Sequence, residues 1–163
     1  AAARGKGIDI VIECARQCPQ ADFVIIGLDS WPAAPANCLF VGTIDNREMP
    51  RWLQAATLYV LPSQAEGTPV SLLEAMACAT PGIVSCVGGV PDLLQDGVTG
   101  RIIPTLATAA FAAAVKDLLG MPPVRLHEMG SAARATIVAR YDSVSIAQRL
   151  LEVYRMVRSA TNG

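Results

Sequence analysis

The chain has 163 residues, of which 52% are hydrophobic and 17% are charged, and its formal net charge is −1. This composition argues against intrinsic disorder and predicts one domain, over residues 1–163, with a well-buried sheet. The absence of a basic surplus argues against nucleic acid as a partner, because binding to a polyanion needs an excess of positive charge.

Apolar segments of two kinds alternate along the chain. The first has helical spacing, with apolar residues at Ile8, Val11, Ile12 and Ala15. Continuous apolar runs, which are typical of parallel strands covered on both faces, then follow at five places. These runs are FVIIG at 23–27, CLFV at 38–41, LYVL at 58–61, IVSC at 83–86 and RII at 101–103.

Helical patterns separate and follow these runs. One contains Met49, Leu53 and Ala56, and another begins near Pro69 and ends at about Cys78. Three more are predicted at 107–119, 123–139 and 143–158. The last helix carries an apolar stripe of Ile146, Leu150, Val153 and Val157.

The alternation of strands and helices predicts an α/β fold, a Rossmann-like doubly wound parallel sheet with helices on both faces. The chain opens with a helical pattern, whereas a doubly wound domain normally opens with a strand. Either the sheet lacks its first strand, or the chain is a piece of a longer protein.

In an open α/β sheet, ligands bind beyond the carboxyl ends of the strands. The loop at 62–69 follows the third strand and leads into a helix that contains Glu74. Pro69 suits the first helical position with Thr68 as the cap, which leaves the amides of Val70 and Ser71 free. Such a positive helix end favours a phosphate, although a helix start without a ligand is common.

Two glycine-containing turns are weaker signals. Gly88 and Gly89 follow the fourth strand and predict either a close backbone approach to a ligand or a simple turn. Lys6 and Gly7 place a cation beside a flexible turn before the first helix. Neither dipeptide indicates a function by itself.

Several classes of site lack their motifs. The sequence contains no P-loop, GxGxxG, DxD, HExxH or GxSxG pattern, and His127 is its only histidine. The five cysteines include no CxxC pair, which indicates free thiols in a reducing compartment. With no signal-peptide core and no apolar run long enough to span a membrane, the protein is predicted to be soluble and cytoplasmic.

Taken together, these segments resemble the C-terminal, donor-binding domain of glycosyltransferase family 4, the large retaining group with the GT-B fold. The resemblance covers nearly the whole chain. It runs through KGID at 6–9, FVIIG at 23–27, LFVGTI at 39–44, LYVLPSQAEGTPVSLLEAMACATP at 58–81 and VGGVPDLLQDGVTGRIIP at 87–104 to the final helix. Its most specific part is the pair of glutamates with seven residues between them, Glu66 and Glu74, known as the EX7E motif.

The resemblance implies a role for each acid. Glu74 would bind the ribose hydroxyls of a nucleotide diphosphate sugar, because one carboxylate can accept from two adjacent hydroxyls. Glu66 would face the donor sugar near the reacting carbon, and Lys6 would meet the diphosphate and offset charge on the leaving group. Glu66 and Lys6 are thus the implied catalytic residues. The other implied donor-binding residues are Gly67, Thr68, Pro69, Val70 and Ser71 around the helix start and Gly42, Thr43 and Ile44 beside the base.

The same resemblance implies partners. The donor is a nucleotide sugar, neither a metal nor another cofactor is needed, and the acceptor binds in an N-terminal domain that this chain lacks. The isolated chain should therefore be inactive, and any membrane association would arise through the missing half. The final helix often crosses back toward that half in the family, so apolar surface near Tyr154 and Val157 should be exposed and the isolated domain could self-associate.

The sequence also departs from the family pattern. The Gly-Arg motif that normally precedes the lysine is not visible, and Arg4 stands too close to Lys6 to replace it. The family usually has glycine at the position of Ala79 and a β-branched residue at that of Gly82. Two other interpretations therefore remain, a non-catalytic nucleotide-binding or assembly module of the same fold, and a GT-B sugar-nucleotide epimerase or phosphorylase.

Overall fold

The computed structural model describes residues 5–104 and 106–161. Helices and strands alternate along the chain as the sequence predicts. In chain order, the elements are α1 (Ile8–Gln17), β1 (Phe23–Ile26), β2 (Cys38–Gly42), α2 (Met49–Ala55), β3 (Tyr59–Leu61), α3 (Val70–Ala77), β4 (Gly82–Ser85), α4 (Val90–Leu93), β5 (Gly100–Ile103), α5 (Thr108–Leu119), α6 (Pro123–Arg140) and α7 (Ser143–Thr161).

The strands pair in parallel but are divided between two sheets, where the sequence predicted one. β1 pairs with β2, with Val24 opposite Leu39, and β3, β4 and β5 form a second sheet in that order. In a doubly wound sheet of order 3-2-1-4-5-6, the first strand lies between the second and the fourth. The observed division, between β1 and β3, falls at that position of the order.

Helices cover both faces of the second sheet. Ile83 and Val84 are neighbours in β4, so their side chains point to opposite faces. Both are fully buried, Ile83 in a core cluster with α1 and α5 and Val84 in a second cluster with α3. The prediction of an α/β fold with helices on both faces is therefore confirmed.

The helices pack in two pairs. α1 contacts α5, and the residues Ile12, Cys14 and Phe111 lie in their shared core. α3 contacts α6, where Gly130 is so close to the carbonyl of Ala79 that an added Cβ would lie 2.0 Å from that oxygen. The Ala79 contact lies just beyond the C-terminal end of α3, the end opposite to the helix start that the sequence analysis placed at the ligand site.

Helix α7 differs from the others because its large apolar side chains are exposed along its length. Tyr154 is 59% exposed and Val157 is 57% exposed, as the sequence predicted for this region. Among the described residues, no helix combines the length and the apolar character that crossing a membrane requires.

Candidate functional site

The turn before α1 is joined to the loop that follows β3. Gly7 adopts a φ of 73°, and a Cβ at this position would lie 2.0 Å from the carbonyl oxygen of Pro62. The amide of Gln64 donates to the carbonyl of Gly5 at 3.0 Å. Glycine is therefore required after Lys6, because only its backbone can approach the loop this closely.

This close approach brings together the two residues implied as catalytic. Lys6 Nζ lies 2.7 Å from Glu66 Oε1, across 60 residues of sequence. The lysine side chain is 59% exposed, whereas the glutamate side chain is only 8% exposed. The pair therefore combines a largely buried carboxylate in the loop with a cation that is accessible to solvent.

The environment of Glu66 favours its ionised form. Burial raises the pKa of its carboxyl, but the hydrogen bond from Lys6, the nearby hydroxyl of Ser63 and the charge of Lys6 together outweigh burial, so the pKa lies below its ordinary value of 4.5. The Ser63 contact falls short of a full hydrogen bond. Ser63 Oγ is buried and makes no hydrogen bond with any described residue.

β4 and the turn after it hold this loop at two points. The hydroxyl of Ser85 donates to the carbonyl of Ser63 at 2.6 Å, and the amide of Gly89 donates to the carbonyl of Gly67 at 2.8 Å. Gly88 has a φ of 53°, and a Cβ there would lie 1.7 Å from the carbonyl oxygen of Glu66. The two glycines thus approach the backbone of Glu66 and Gly67, a contact that the sequence analysis did not predict.

The start of α3 differs by one residue from the prediction. Pro69 is the N-cap, no side chain caps the helix, and Thr68 lies outside it. The prediction was wrong because Pro69 has a ψ of 104°, which is extended, so the helix can begin only at Val70. The carbonyl of Pro69 accepts from the amides of Leu72 and Leu73.

Two amides nevertheless remain available at this helix end, as predicted. Val70 and Ser71 are the first residues of the helix, and their N–H groups precede the first intrahelical acceptor. The carbonyl of Gly67 is already used by Gly89. The exposed end therefore presents donors rather than acceptors, which favours an anionic ligand.

Glu74 lies in α3 and its side chain is exposed. It stands among apolar residues in the sequence, but the helix turns its carboxylate toward solvent. Within the described residues, the Glu74 carboxylate makes no hydrogen bond or ion pair, whereas the backbone carbonyl of Glu74 accepts from the amide of Cys78, so the side chain neither caps nor braces its helix through such a contact. Its acceptor oxygens are available to a ligand.

Tyr59 is a residue of this site that the sequence analysis missed. Its phenol donates to Ser71 Oγ at 2.8 Å. Burial raises the pKa of Tyr59 to about 12, and the negative charges of Glu66 and Glu74 add to this rise. The phenol therefore lies within electrostatic reach of both glutamates. In the sequence, Tyr59 is one residue of an apolar strand, and nothing there distinguishes it from a core aromatic.

The segment implied to lie beside the base, Gly42 to Ile44, is held by a contact with the end of β1. Gly42, at the end of β2, has a φ of 72°, and its amide donates to the carbonyl of Leu28 at 3.0 Å. Thr43 is exposed and Ile44 is half-buried. No hydrogen bond among the described residues joins this segment to the loop that carries Glu66, whereas Lys6 and Glu66 are in direct contact.

The other candidate groups add no second centre. Within residues 5–104 and 106–161, no three side chains of His, Cys, Asp or Glu form a group that could hold a metal ion. All five cysteines are free thiols, as predicted. Arg4, which was considered as a partner for the diphosphate, lies outside the described residues.

Comparison with known proteins identifies relatives of the chain. The family described as Glycosyl transferases group 1 matches residues 2–121. The α-maltose-1-phosphate synthase of Mycolicibacterium smegmatis is 40% identical over 111 residues, which are 64% of this chain and 28% of that relative.

Two solved structures share the fold. The sucrose-phosphate synthase of Thermosynechococcus elongatus superposes with a TM-score of 0.85 at 28% identity, over 96% of this chain and 43% of that one. Anabaena HepE in complex with UDP and glucose superposes with a TM-score of 0.83 at 22% identity, over 94% of this chain and 46% of that one. The chain thus spans less than half the length of each of these proteins.

Proposed function

The chain belongs to the glycosyl transferases group 1 family, and we propose that it is the donor-binding domain of an enzyme that transfers a sugar from a nucleotide diphosphate sugar to a hydroxyl acceptor, with retention and without a metal ion. The observation that carries the proposal is the Lys6–Glu66 pair at 2.7 Å beside the loop that leads into α3. It combines a cation for phosphate with a buried carboxylate, and the free amides of α3 add a second group of donors for an anion.

The chemistry follows from these positions. Departure of a nucleoside diphosphate leaves negative charge on its terminal phosphate oxygens. The Lys6 ammonium and the amides of Val70 and Ser71 would stabilise that charge, and they would do so most as it develops in the transition state. Glu66, ionised and 8% exposed, would accept hydrogen bonds from the donor sugar and place a negative charge near the reacting carbon.

Glu74 would hold the other end of the donor. Its carboxylate is exposed, and among the described residues it has no protein partner. Two oxygens can accept from the two ribose hydroxyls at once. Anabaena HepE, which shares the fold, was crystallised with UDP, so uridine diphosphate is the first nucleotide to test.

The acceptor would bind in a second domain. The chain spans 28% of the Mycolicibacterium relative and 43% of the sucrose-phosphate synthase chain, so both proteins contain much that is absent here. Catalysis would need two halves closed on the substrates. The 163-residue chain alone should therefore bind donor without transferring sugar, and turnover of a nucleotide sugar onto any acceptor would contradict this.

Calorimetric titration of the chain with uridine, guanosine and adenosine diphosphates tests the proposal. We expect saturable binding of one of them, and Glu74→Ala should weaken it roughly 5- to 150-fold, since a lost hydrogen-bond set costs about 1–3 kcal/mol. Glu152→Ala is the control, because Glu152 is also an exposed helical glutamate. If none of the three nucleotides binds, the assembly module becomes the better interpretation.

Glu66→Ala separates the roles of the two acids. Its proposed partner is the sugar, so affinity for the bare nucleoside diphosphate should hardly change, whereas turnover of the complete enzyme should fall strongly. Melting curves of each variant check folding. If Glu74→Ala keeps its nucleotide affinity but melts earlier, the ribose role is wrong.

A further inference from the structure

The hydroxyl of Ser71 has one hydrogen left after its contact with Tyr59. A serine hydroxyl offers one donor and two acceptor positions. Tyr59 donates to one acceptor position at 2.8 Å. Within the described residues, Ser71 Oγ donates to no protein acceptor, and the carbonyl four residues earlier, that of Gly67, accepts from Gly89 instead.

The direction of the Tyr59–Ser71 bond follows from the surroundings. A phenol is a stronger donor than an aliphatic hydroxyl, and Tyr59 remains protonated because burial and the charges of Glu66 and Glu74 raise its pKa to about 12. Tyr59 is therefore protonated at neutral pH, and in the structure its hydroxyl is the donor of that bond and Ser71 Oγ the acceptor. The remaining Ser71 proton must point away from the phenol.

We propose that Tyr59 is a positioning residue for nucleotide binding, which holds the Ser71 hydroxyl so that it donates to a phosphate oxygen of the bound nucleoside diphosphate. Ser71 stands in the first turn of α3, where the amides of Val70 and Ser71 are free. A hydroxyl proton beside two amides at a positive helix end makes a three-donor arrangement that matches an anionic oxygen. The inference rests on the proposed nucleotide binding and names a further residue of that site.

A double-mutant cycle measured by calorimetric titration tests the inference. The variants are Tyr59→Phe, which keeps the ring and removes the hydroxyl, Ser71→Ala, and both together. The ligand is whichever of uridine, guanosine or adenosine diphosphate the unmodified chain binds most tightly. We expect each single variant to lose about three- to tenfold in affinity, and Tyr59→Phe to cause no further loss when Ser71 is already alanine.

Tyr141→Phe is the matched control. The phenol of Tyr141 also donates one hydrogen bond, to the carbonyl of Asp92 at 3.2 Å. Its acceptor is therefore not a residue of the α3 start. This variant should bind the nucleotide as the unmodified chain does. Melting curves of all variants check that the removal of a hydroxyl does not unfold the domain, and Ser71→Ala examines the same contact from its other side.

The possible outcomes are distinct. Unchanged affinity in Tyr59→Phe would overturn the inference, and so would an equal loss in the presence and absence of the Ser71 hydroxyl, because the two groups would then act independently. If Glu74→Ala weakens binding in the same series but Tyr59→Phe does not, the proposed function stands while this inference falls. Failure of the unmodified chain to bind any of the three nucleotides would overturn both.

Discussion

At the scale of single residues, the ionised state of Glu66 should couple folding to pH. The pKa of its carboxyl is lowered in the folded protein, where the Lys6 hydrogen bond, the Ser63 hydroxyl and the Lys6 charge outweigh burial. A group with a depressed pKa contributes stability above its unfolded pKa and loses that contribution as the pH falls through its folded pKa. The contribution of Glu66 is thus fully present at neutral pH and is lost below its ordinary value of 4.5.

Urea unfolding of the unmodified chain and of Glu66→Gln, from about pH 7 to about pH 3, measures this contribution. The difference in unfolding free energy should be largest at neutral pH and should shrink in acid. Lys6→Gln should show a smaller pH dependence of the same kind, because the cation that lowers the pKa is gone. If the difference in unfolding free energy stays constant across the pH range, the ion pair with Lys6 does not lower the pKa of Glu66.

The sequence predicted some of these residues and not others, for a physical reason. Glu66 and Lys6 could be named because their motif carries them, and the structure places them 2.7 Å apart. Tyr59 and Ser63 could not be named, because an aromatic in a strand and a serine after it also occur in ordinary cores. The role of Tyr59 depends on a side-chain contact with Ser71, 12 residues further along the chain. That of Ser63 depends on the burial of its hydroxyl.

At the scale of elements, the turn between β4 and α4 should be needed to place Glu66. Gly88 and Gly97 both have a positive φ, 53° and 75°, so alanine should cost each turn about 1–2 kcal/mol of backbone strain. Only at Gly88 would the new Cβ meet an obstacle, the carbonyl oxygen of Glu66 at 1.7 Å.

We therefore expect Gly88→Ala to lower the unfolding free energy clearly more than Gly97→Ala does in urea titrations. Gly88→Ala should also weaken nucleotide binding, because the loop must shift to make room and this loop leads into the start of α3, whose free amides are the proposed phosphate donors. Gly97→Ala should leave nucleotide affinity unchanged, since no atom lies within 4 Å of its added Cβ. Equal losses of stability in the two variants would contradict the proposed contact.

A second prediction at this scale concerns the end of α3. The amide of Thr80 donates to the carbonyl of Ala75, and that of Ala79 donates to Met76, which together form a Schellman motif. The motif needs a left-handed residue, usually glycine, but here Ala79 takes a φ of 61°. Ala79→Gly should raise the unfolding free energy by about 1 kcal/mol. Ala77→Gly, within the helix, should lower it by about the same amount, and thermal melts of both variants would show opposite shifts.

The structure shows how the two departures from the family pattern, at positions 79 and 82, are accommodated. Alanine at position 79 is accommodated with backbone strain. Glycine at position 82 is accommodated by packing, because a Cβ there would lie 3.0 Å from Leu72 Cδ1 and 3.4 Å from Leu94 Cδ1. Element types and most bounds could be predicted from apolar periodicity, whereas the α3 cap could not, because Thr-Pro is compatible with a helix that begins at either of two residues.

At the scale of the whole molecule, the division into two sheets was the least predictable feature. A continuous apolar run indicates that a strand is buried, but it does not indicate which other strand lies beside it in the sheet. One core nevertheless joins the sheets, since Ile25 of β1 and Ile83 of β4 lie in the same cluster with α1 and α5. Local pattern thus indicated the α/β class, and the long-range pairing required the structure.

The exposed face of α7 leads to the last prediction. The stripe of Ile146, Leu150 and Val153 is 47%, 50% and 53% exposed, and it lies on a helix whose packing against the other described elements is slight and mainly against α6. Apolar surface of this kind favours association when nothing covers it. We expect the chain to form oligomers as its concentration rises, measured by sedimentation velocity. Leu150→Glu should abolish this association, whereas Gln148→Glu, which adds the same charge at an exposed position of the same helix, should leave it intact. Monomeric behaviour at all concentrations, or equal effects of the two substitutions, would show that this face does not mediate self-association.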